Sequence, residues 1–328
     1  MGKRRSRSRN PFKNSAVRRI LRWMPIAVLL LMTACLSVMM LLGGMARMWA
    51  WYLLIKTPIL PFLGLIFLIY AVIQAIRRRR ISKPMLINGL VSLLFLAPIL
   101  LWALLVLGPI LPWNLSLSYP ASIDTTKPTA TVRLPANVPL KTTWGGNTLK
   151  VNYHVAVPNQ RWAYDFCVEP YQTGSLDLTD YGCYGVPVVA PAAGIVTTAH
   201  DGEPDTPIDI DRPVANASGN FIALKLDETG TYLEIDHLKP GSLLVKAGEH
   251  VEEGQAIAQC GNSGNSTEPH IHIHHQRQEP TMDSSAWFTE GLPLFFRDHD
   301  GPPMPEGGMH IEKGKIIETG ITVQHIGK

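Results

Sequence analysis

The chain has 328 residues, 46% of them hydrophobic and 17% charged, with a formal net charge of +4. That charge is divided: no Asp or Glu precedes Asp124, sixteen Lys and Arg lie in residues 1–112, and the remainder sets fourteen basic residues against 26 acidic ones. A front third near +16 and a remainder near −12 exclude one uniform globular domain, and an acidic remainder repels phosphate, which excludes nucleic acid as its partner.

Residues 1–23 read as a basic cytoplasmic tail carrying Lys3, Arg4, Arg5, Arg7, Arg9, Lys13, Arg18, Arg19 and Arg22. Residues 24–112 hold three apolar runs, 24–43, 57–76 and 85–111. Each is long enough to cross about 30 Å of hydrocarbon as a helix, so three transmembrane helices are expected. Pro61, Pro98 and Pro109 would kink such helices without forbidding them. Trp49, Trp51 and Tyr52 stand where interfacial aromatics belong, and Lys56 can snorkel to the same interface. Five basic residues separate the second and third runs, against Arg47 and Lys56 between the first and second. The positive-inside rule then places the N-terminus and the 77–83 loop in the cytoplasm and everything beyond Pro112 outside. The lipid bilayer is thus an expected partner. Residues 31–35 have some likeness to a lipoprotein cleavage box, but Met32 fits its first position poorly and apolar sequence continues past Cys35.

Residues 113–143 are rich in Ser, Thr and Pro and read as an extracytoplasmic linker leading to a first strand near 131–134. Short β-type runs follow at 149–157, 188–190, 194–199, 220–226, 231–235, 242–245, 256–259 and 270–274, separated by Gly, Pro and Asn turns. No stretch of twelve residues has a strong helical period, so residues 144–298 are expected to form a mostly antiparallel β domain. The acidic, Pro-rich segment 201–219 reads as a surface loop. Outside the cell Cys167, Cys183 and Cys260 allow at most one internal bridge, and Cys167–Cys183, across a short loop, is the candidate. Residues 299–328 are a C-terminal extension with a hairpin-like stretch at 309–323, in which His310 and His325 read as surface residues. Phe295 and Phe296, just before it, are expected to close the core.

The sharpest local feature is Pro269-His270-Ile271-His272-Ile273-His274-His275. In a strand, His270, His272 and His274 share one face while Ile271 and Ile273 turn to the core, leaving His275 on the other face as incidental. Imidazoles two residues apart can meet one metal ion, or supply one ligand and one acid–base group. Asp165 sits among apolar neighbours in Ala163-Tyr164-Asp165-Phe166, and a carboxylate is not buried there without a partner. His237 ends a strand in Glu234-Ile235-Asp236-His237-Leu238. About three such N, O or S ligands plus an open position for water are what a catalytic zinc ion needs.

These residues fall into a longer pattern. The segment Gly185-Val186-Pro187 through Gly194-Ile195-Val196, then Gly219-Asn220-Phe221, Asp236-His237-Leu238, Val245-Lys246-Ala247-Gly248 with Val251 and Gly254-Gln255, Gly261-Asn262-Ser263-Gly264 and Pro269-His270-Ile271-His272 occur in this order. Over about residues 150–276 the chain resembles lysostaphin/LytM-type zinc metallopeptidases, which cleave peptide cross-links in bacterial peptidoglycan. The resemblance implies a LytM-like β fold with a duplicated hybrid motif, Zn2+ as cofactor, and a peptidoglycan stem peptide or cross-bridge as substrate. With the apolar runs, it implies a multi-pass protein of the bacterial inner membrane whose C-terminal domain faces the periplasm or wall. It matches Asp165 and His272 to zinc ligands, and His237 and His270 to imidazoles that orient water and stabilise charge on the attacked carbonyl.

One position departs from the pattern. The family's first zinc His, four residues before the Asp, is Arg161 here, and Arg stays protonated. Either His154, the one His ahead of Asp165, folds back as third ligand while Arg161 lines the groove, or the site is silent. In the second case the domain binds the wall, or recruits or activates another hydrolase. A carrier-domain reading of residues 245–261 lacks a Lys at a tight turn.

Overall fold

The computed structural model describes residues 15–56, scattered positions between 62 and 76, and residues 119–208, 214, 216–281, 289–312 and 315–327. The chain divides into two compact units, Met1–Leu42 with Trp49–Ser116, and Gly43–Met48 with Leu117–Lys328.

The expected three-helix membrane region is overturned. Among the described residues no helix is long and apolar enough to cross a membrane. Helix α1 (Ser15–Leu41) begins inside the basic tail, so its early turns include Arg18, Arg19 and Arg22. It stops before the Gly43–Gly44 pair, where Gly44 takes φ +66°. Helix α2 (Gly44–Trp51) is eight residues long, about 12 Å, and contains Arg47. Most of the second apolar run and all of the third lie outside the described residues. The multi-pass inner-membrane placement is corrected with the helices that were to carry it, and the bilayer as partner is without support among the described residues.

Among the described residues the second unit has fifteen short strands: β1 (Ala130–Val132), β2 (Leu140–Trp144), β3 (Tyr164–Cys167), β4 (Pro187–Val189), β5 (Gly194–His200), β6 (Asn220–Leu226), β7 (Tyr232–Leu238), β8 (His250–Val251), β9 (Ala256–Gln259), β10 (Ile271–Gln276), β11 (Gly291–Leu292), β12 (Leu294–Phe296), β13 (Met309–Glu312), β14 (Lys315–Glu318) and β15 (Thr322–Val323). The main sheet runs β15-β2-β3-β10-β7-β6-β5-β8, with β11 also on β10. All its pairings are antiparallel, as the alternating sequence predicts. Smaller sheets pair β1 with β12, β4 with β9 and β13 with β14.

Period-two alternation splits the central strands into two faces. Tyr164 and Phe166 of β3, Leu233 and Ile235 of β7, and Ile271 and Ile273 of β10 belong to one buried cluster with Phe296. The rings of Tyr164 and Phe166 meet Phe296 edge-on at centroid distances of 4.8 and 5.4 Å. Each such side chain contributes about 1.5–3 kcal/mol by burial. Phe296 closes the core as expected, while Phe295 is only half-buried. The other face of the same strands carries Asp165, Glu234, Asp236, His272 and His274, all buried.

Three local expectations change. Residues 149–157 form no strand. Asn152 accepts a hydrogen bond from the His154 N–H and starts a 3-10 turn, Tyr153–Ala156. Residues 242–245 stay irregular because the chain turns at Pro240-Gly241, where the Ser242 N–H donates back to the Lys239 carbonyl at 3.2 Å. The Cys167–Cys183 pairing is replaced by a Cys183–Cys260 disulfide, and Cys167 is buried outside the bridge. The pairing of β4 with β9 decides this, since it sets Pro187 opposite Gln259 and brings the flanking cysteines to a Cα separation of 5.9 Å.

Candidate active site

Strand β10 lies between β3 and β7, with His272 directly across from Asp165 on one side and from Asp236 on the other. The ring spans both neighbours. Its Nδ1 is 2.7 Å from Asp165 Oδ1, and its Nε2 is 3.1 Å from His274 Nδ1 and 3.9 Å from Asp236 Oδ2.

His154 reaches the same carboxylate from outside the sheet, its Nε2 3.5 Å from Asp165 Oδ2. The turn that carries it is held by Asn152. That side chain accepts from the His154 N–H, meets His154 Nδ1 at 2.9 Å, and donates to the Gly146 and Ala163 carbonyls. With Nδ1–H given to Asn152, Nε2 keeps its lone pair toward Asp165. One donor atom each from His154, Asp165 and His272 lie within 4.8 Å of one another, and all three residues are buried. Two imidazoles and a carboxylate suit zinc, so the residues present fit the ion that the sequence pattern implies.

The other two predicted imidazoles flank this cluster. His270 Nδ1 donates to the Glu268 carbonyl at 2.8 Å, leaving Nε2 3.7 Å from Asp165 Oδ1. His237 Nδ1 donates to the Ser263 carbonyl at 2.8 Å, and its ring stands 4.7 Å from that of His270. Each side-chain or carbonyl acceptor thus selects a tautomer whose Nε2 is basic. Burial holds His237 well below the ordinary imidazole range, helped by His270 and His272. Burial likewise pushes His154 down to about 3. For Asp165, burial raises the pKa, but His154, His270 and His272 outweigh it and hold the carboxyl well below the usual range.

A cavity of about 250 Å³ opens onto the cluster, and its walls include Asp165, His237, His270, Trp144, Tyr153 and Met309. Sequence reasoning passed over Tyr153, whose hydroxyl donates to Asp165 Oδ2 at 3.5 Å. Burial and the Asp165 charge push that phenol far up, so it keeps its proton. Asn152 was missed as well, and only its place before a His could have marked it. Arg161 is not among the groove residues. It is buried, with Nε donating to the Tyr119 carbonyl at 3.1 Å and Nη2 to the Asn147 carbonyl at 3.0 Å. There it ties the incoming segment to the 147 turn.

The backbone around His237 is closely built. Its N–H donates to Ser218 and its carbonyl accepts from Gly261. A Cβ at Gly264, where φ is +77°, would lie 2.4 Å from the Gly219 nitrogen, so only glycine lets these two loops meet behind the imidazole. The disulfide partner Cys260 is next to Gly261 and bridges to Leu238. His275, on the core face, is satisfied by Thr231 Oγ1 at 2.6 Å and the Pro293 carbonyl at 3.1 Å, in keeping with its exclusion from the site.

Comparison with known proteins gives partial matches. Over 116 residues it is 29% identical to an uncharacterized metalloprotease of Haemophilus influenzae, a match covering 35% of this chain and 20% of that protein. The chain therefore spans about a fifth of that relative's length. Among solved structures it is similar to the catalytic domain of the antimicrobial peptidase lysostaphin from Staphylococcus simulans, at 23% identity and a TM-score of 0.28, covering 45% of this chain and 84% of that one. It is also similar to a zinc containing peptidase from Vibrio cholerae, at 20% identity and a TM-score of 0.28, covering 47% and 40%. Residues 177–284, which include His237, His270 and His272, match the sequence model of Peptidase family M23.

Proposed function

We propose that this protein is a zinc-dependent endopeptidase acting on peptide bonds of bacterial peptidoglycan, within a catalytic domain over residues 144–298. The observation that carries the reading is the convergence of His154, Asp165 and His272 beside a cavity that Asp165 lines, with His272 inside the M23 match. His154 makes up for the missing His at position 161. The disulfide suits an oxidising compartment, where wall peptides are met.

In this proposal His154, Asp165 and His272 would hold the ion. When bound, zinc supplies Lewis acidity, polarising the scissile carbonyl and lowering the pKa of a water. The remaining steps belong to the chain. His237, neutral with its Nδ1–H committed to Ser263, accepts the water proton at Nε2 and returns it to the leaving amine. His270, fixed by Glu268, and the protonated Tyr153 donate toward the oxygen of the attacked carbonyl. Trp144 and Met309 form apolar walls for an extended peptide.

The test is made on the full chain loaded with zinc. Wild type should release new amino termini from purified peptidoglycan. His154→Ala should bind one zinc fewer per chain and fall to the rate seen with chelator. A wild type that binds no zinc, or a His154→Ala variant that keeps both zinc and activity, overturns the assignment. The first of these results points to a silent wall-binding domain.

A further inference from the structure

Behind the proposed catalytic cluster, on the same face of β10 and β7, lies a second set of donors that the reaction does not use. We propose that Asp236, His274 and the Nε2 of His272 form a second site for a divalent transition-metal ion, so that His272 bridges two ions as an imidazolate.

Distance is the first argument. In a tetrahedral site with bonds of about 2.0–2.1 Å, donor atoms stand about 3.3 Å apart. The His272 Nε2 to His274 Nδ1 separation is 3.1 Å and that from His272 Nε2 to Asp236 Oδ2 is 3.9 Å, values on either side of that edge. Donor atoms of the three residues all lie within 4.8 Å of one another. The second argument is an unmet polar atom: Asp236 is 3% exposed, and its Oδ1 has no hydrogen-bond partner among the described residues. A buried carboxylate oxygen without a donor costs free energy that a cation would offset.

Charge is the third argument. Asp165, Asp236 and Glu234 are buried along one row of imidazoles, and the ion pairs they make among the described residues are with histidines, not with Lys or Arg. Binding at both ring nitrogens of His272 would release its last ring proton to solvent. Gln276 Oε1, 3.0 Å from His274 Nε2, accepts from that outer ring nitrogen and leaves Nδ1 as the donor atom toward the ion, while Glu234 Oε2 stands 3.6 Å from the same nitrogen. Imidazole and carboxylate donors favour zinc, cobalt or copper over calcium or magnesium.

The bridge rests on the zinc reading of the first site, and the experiment separates the two. The full chain is loaded with Zn2+, dialysed, and its metal counted by elemental analysis. Two ions per chain are expected for wild type, one for His154→Ala, one for His274→Ala and one for the isosteric Asp236→Asn. One ion in wild type, unchanged in His274→Ala and Asp236→Asn but lost in His154→Ala, overturns the second site and leaves the first standing. No ion in wild type overturns both. Should His274→Ala fail to fold, the copper-loaded wild type decides. An imidazolate-bridged pair loses most of its Cu2+ paramagnetic signal by exchange coupling, and Asp236→Asn restores it. Two uncoupled copper signals in wild type would refute the bridge.

Discussion

His237 has a left-handed backbone, φ +61°, which costs a non-glycine residue about 1 kcal/mol or more. The residue stays there because three bonds specify it: its N–H to Ser218, its carbonyl from Gly261 and its ring to Ser263. Strain held by so many contacts aims the imidazole at the cavity. We therefore expect His237→Ala to lower kcat by about a hundredfold to ten-thousandfold, as loss of a general base does. The zinc content should not change, because His237 is not among the three clustered donors. Zinc loss in this variant would move His237 into the ligand set. Some of this site could be read from the sequence. Asp165 and His272 stand opposite each other because alternation puts both on one sheet face, and alternation is visible in a string of letters. Asn152 could not be seen in this way. An Asn before a turn looks the same whether it caps solvent-exposed backbone or holds a metal-site imidazole, and only the folded chain tells these apart.

The strands with period-two patterning were legible for the same reason, and β6 and β9, which do not alternate, begin and end with their short β-type runs. The cysteine pairing was not, since it depends on a register between strands far apart in sequence. Cys183 and Cys260 are separated by 77 residues, whereas the short-loop alternative looked closer along the chain. The apolar runs misled because composition alone does not show where a helix starts. Helix α1 starts among arginines and ends before a glycine pair. The disulfide closes a long loop beside His237, so its loss should matter for stability. The chain-entropy relation gives about 4–5 kcal/mol for such a loop, with native bridges commonly measured at about 2–5 kcal/mol. Cys260→Ser should shift the urea midpoint down accordingly. In denaturant without reductant it should expose three reactive thiols, against two, Cys35 and Cys167, in wild type. Four reactive thiols in wild type would show that the bridge is not formed.

The β unit as a whole is tuned to neutral imidazoles, and this sets its response to acid. Histidines occur on both faces of β10, and burial keeps His154, His237, His274 and His275 below their ordinary range. His275 gives the cleanest test, because it faces the core away from the catalytic cluster. Burial lowers it from 6.5 to about 4, against a smaller raising effect of its bond to the Pro293 carbonyl. A group depressed on folding binds protons more readily in the unfolded chain between these two values. Stability from His275 is thus complete above about pH 6.5, is lost as pH falls toward 4, and changes no further below it. Linkage gives a loss of about 2 kcal/mol between pH 7.5 and pH 5 from this residue alone. His275→Gln can keep a donor for Pro293 and an acceptor for Thr231 without titrating. Urea unfolding at the two pH values should therefore show a loss smaller by about that amount in His275→Gln than in wild type. Equal losses would mean that the His275 proton equilibrium does not differ between the folded and unfolded chains, and that the acid response comes from the opposite face of β10.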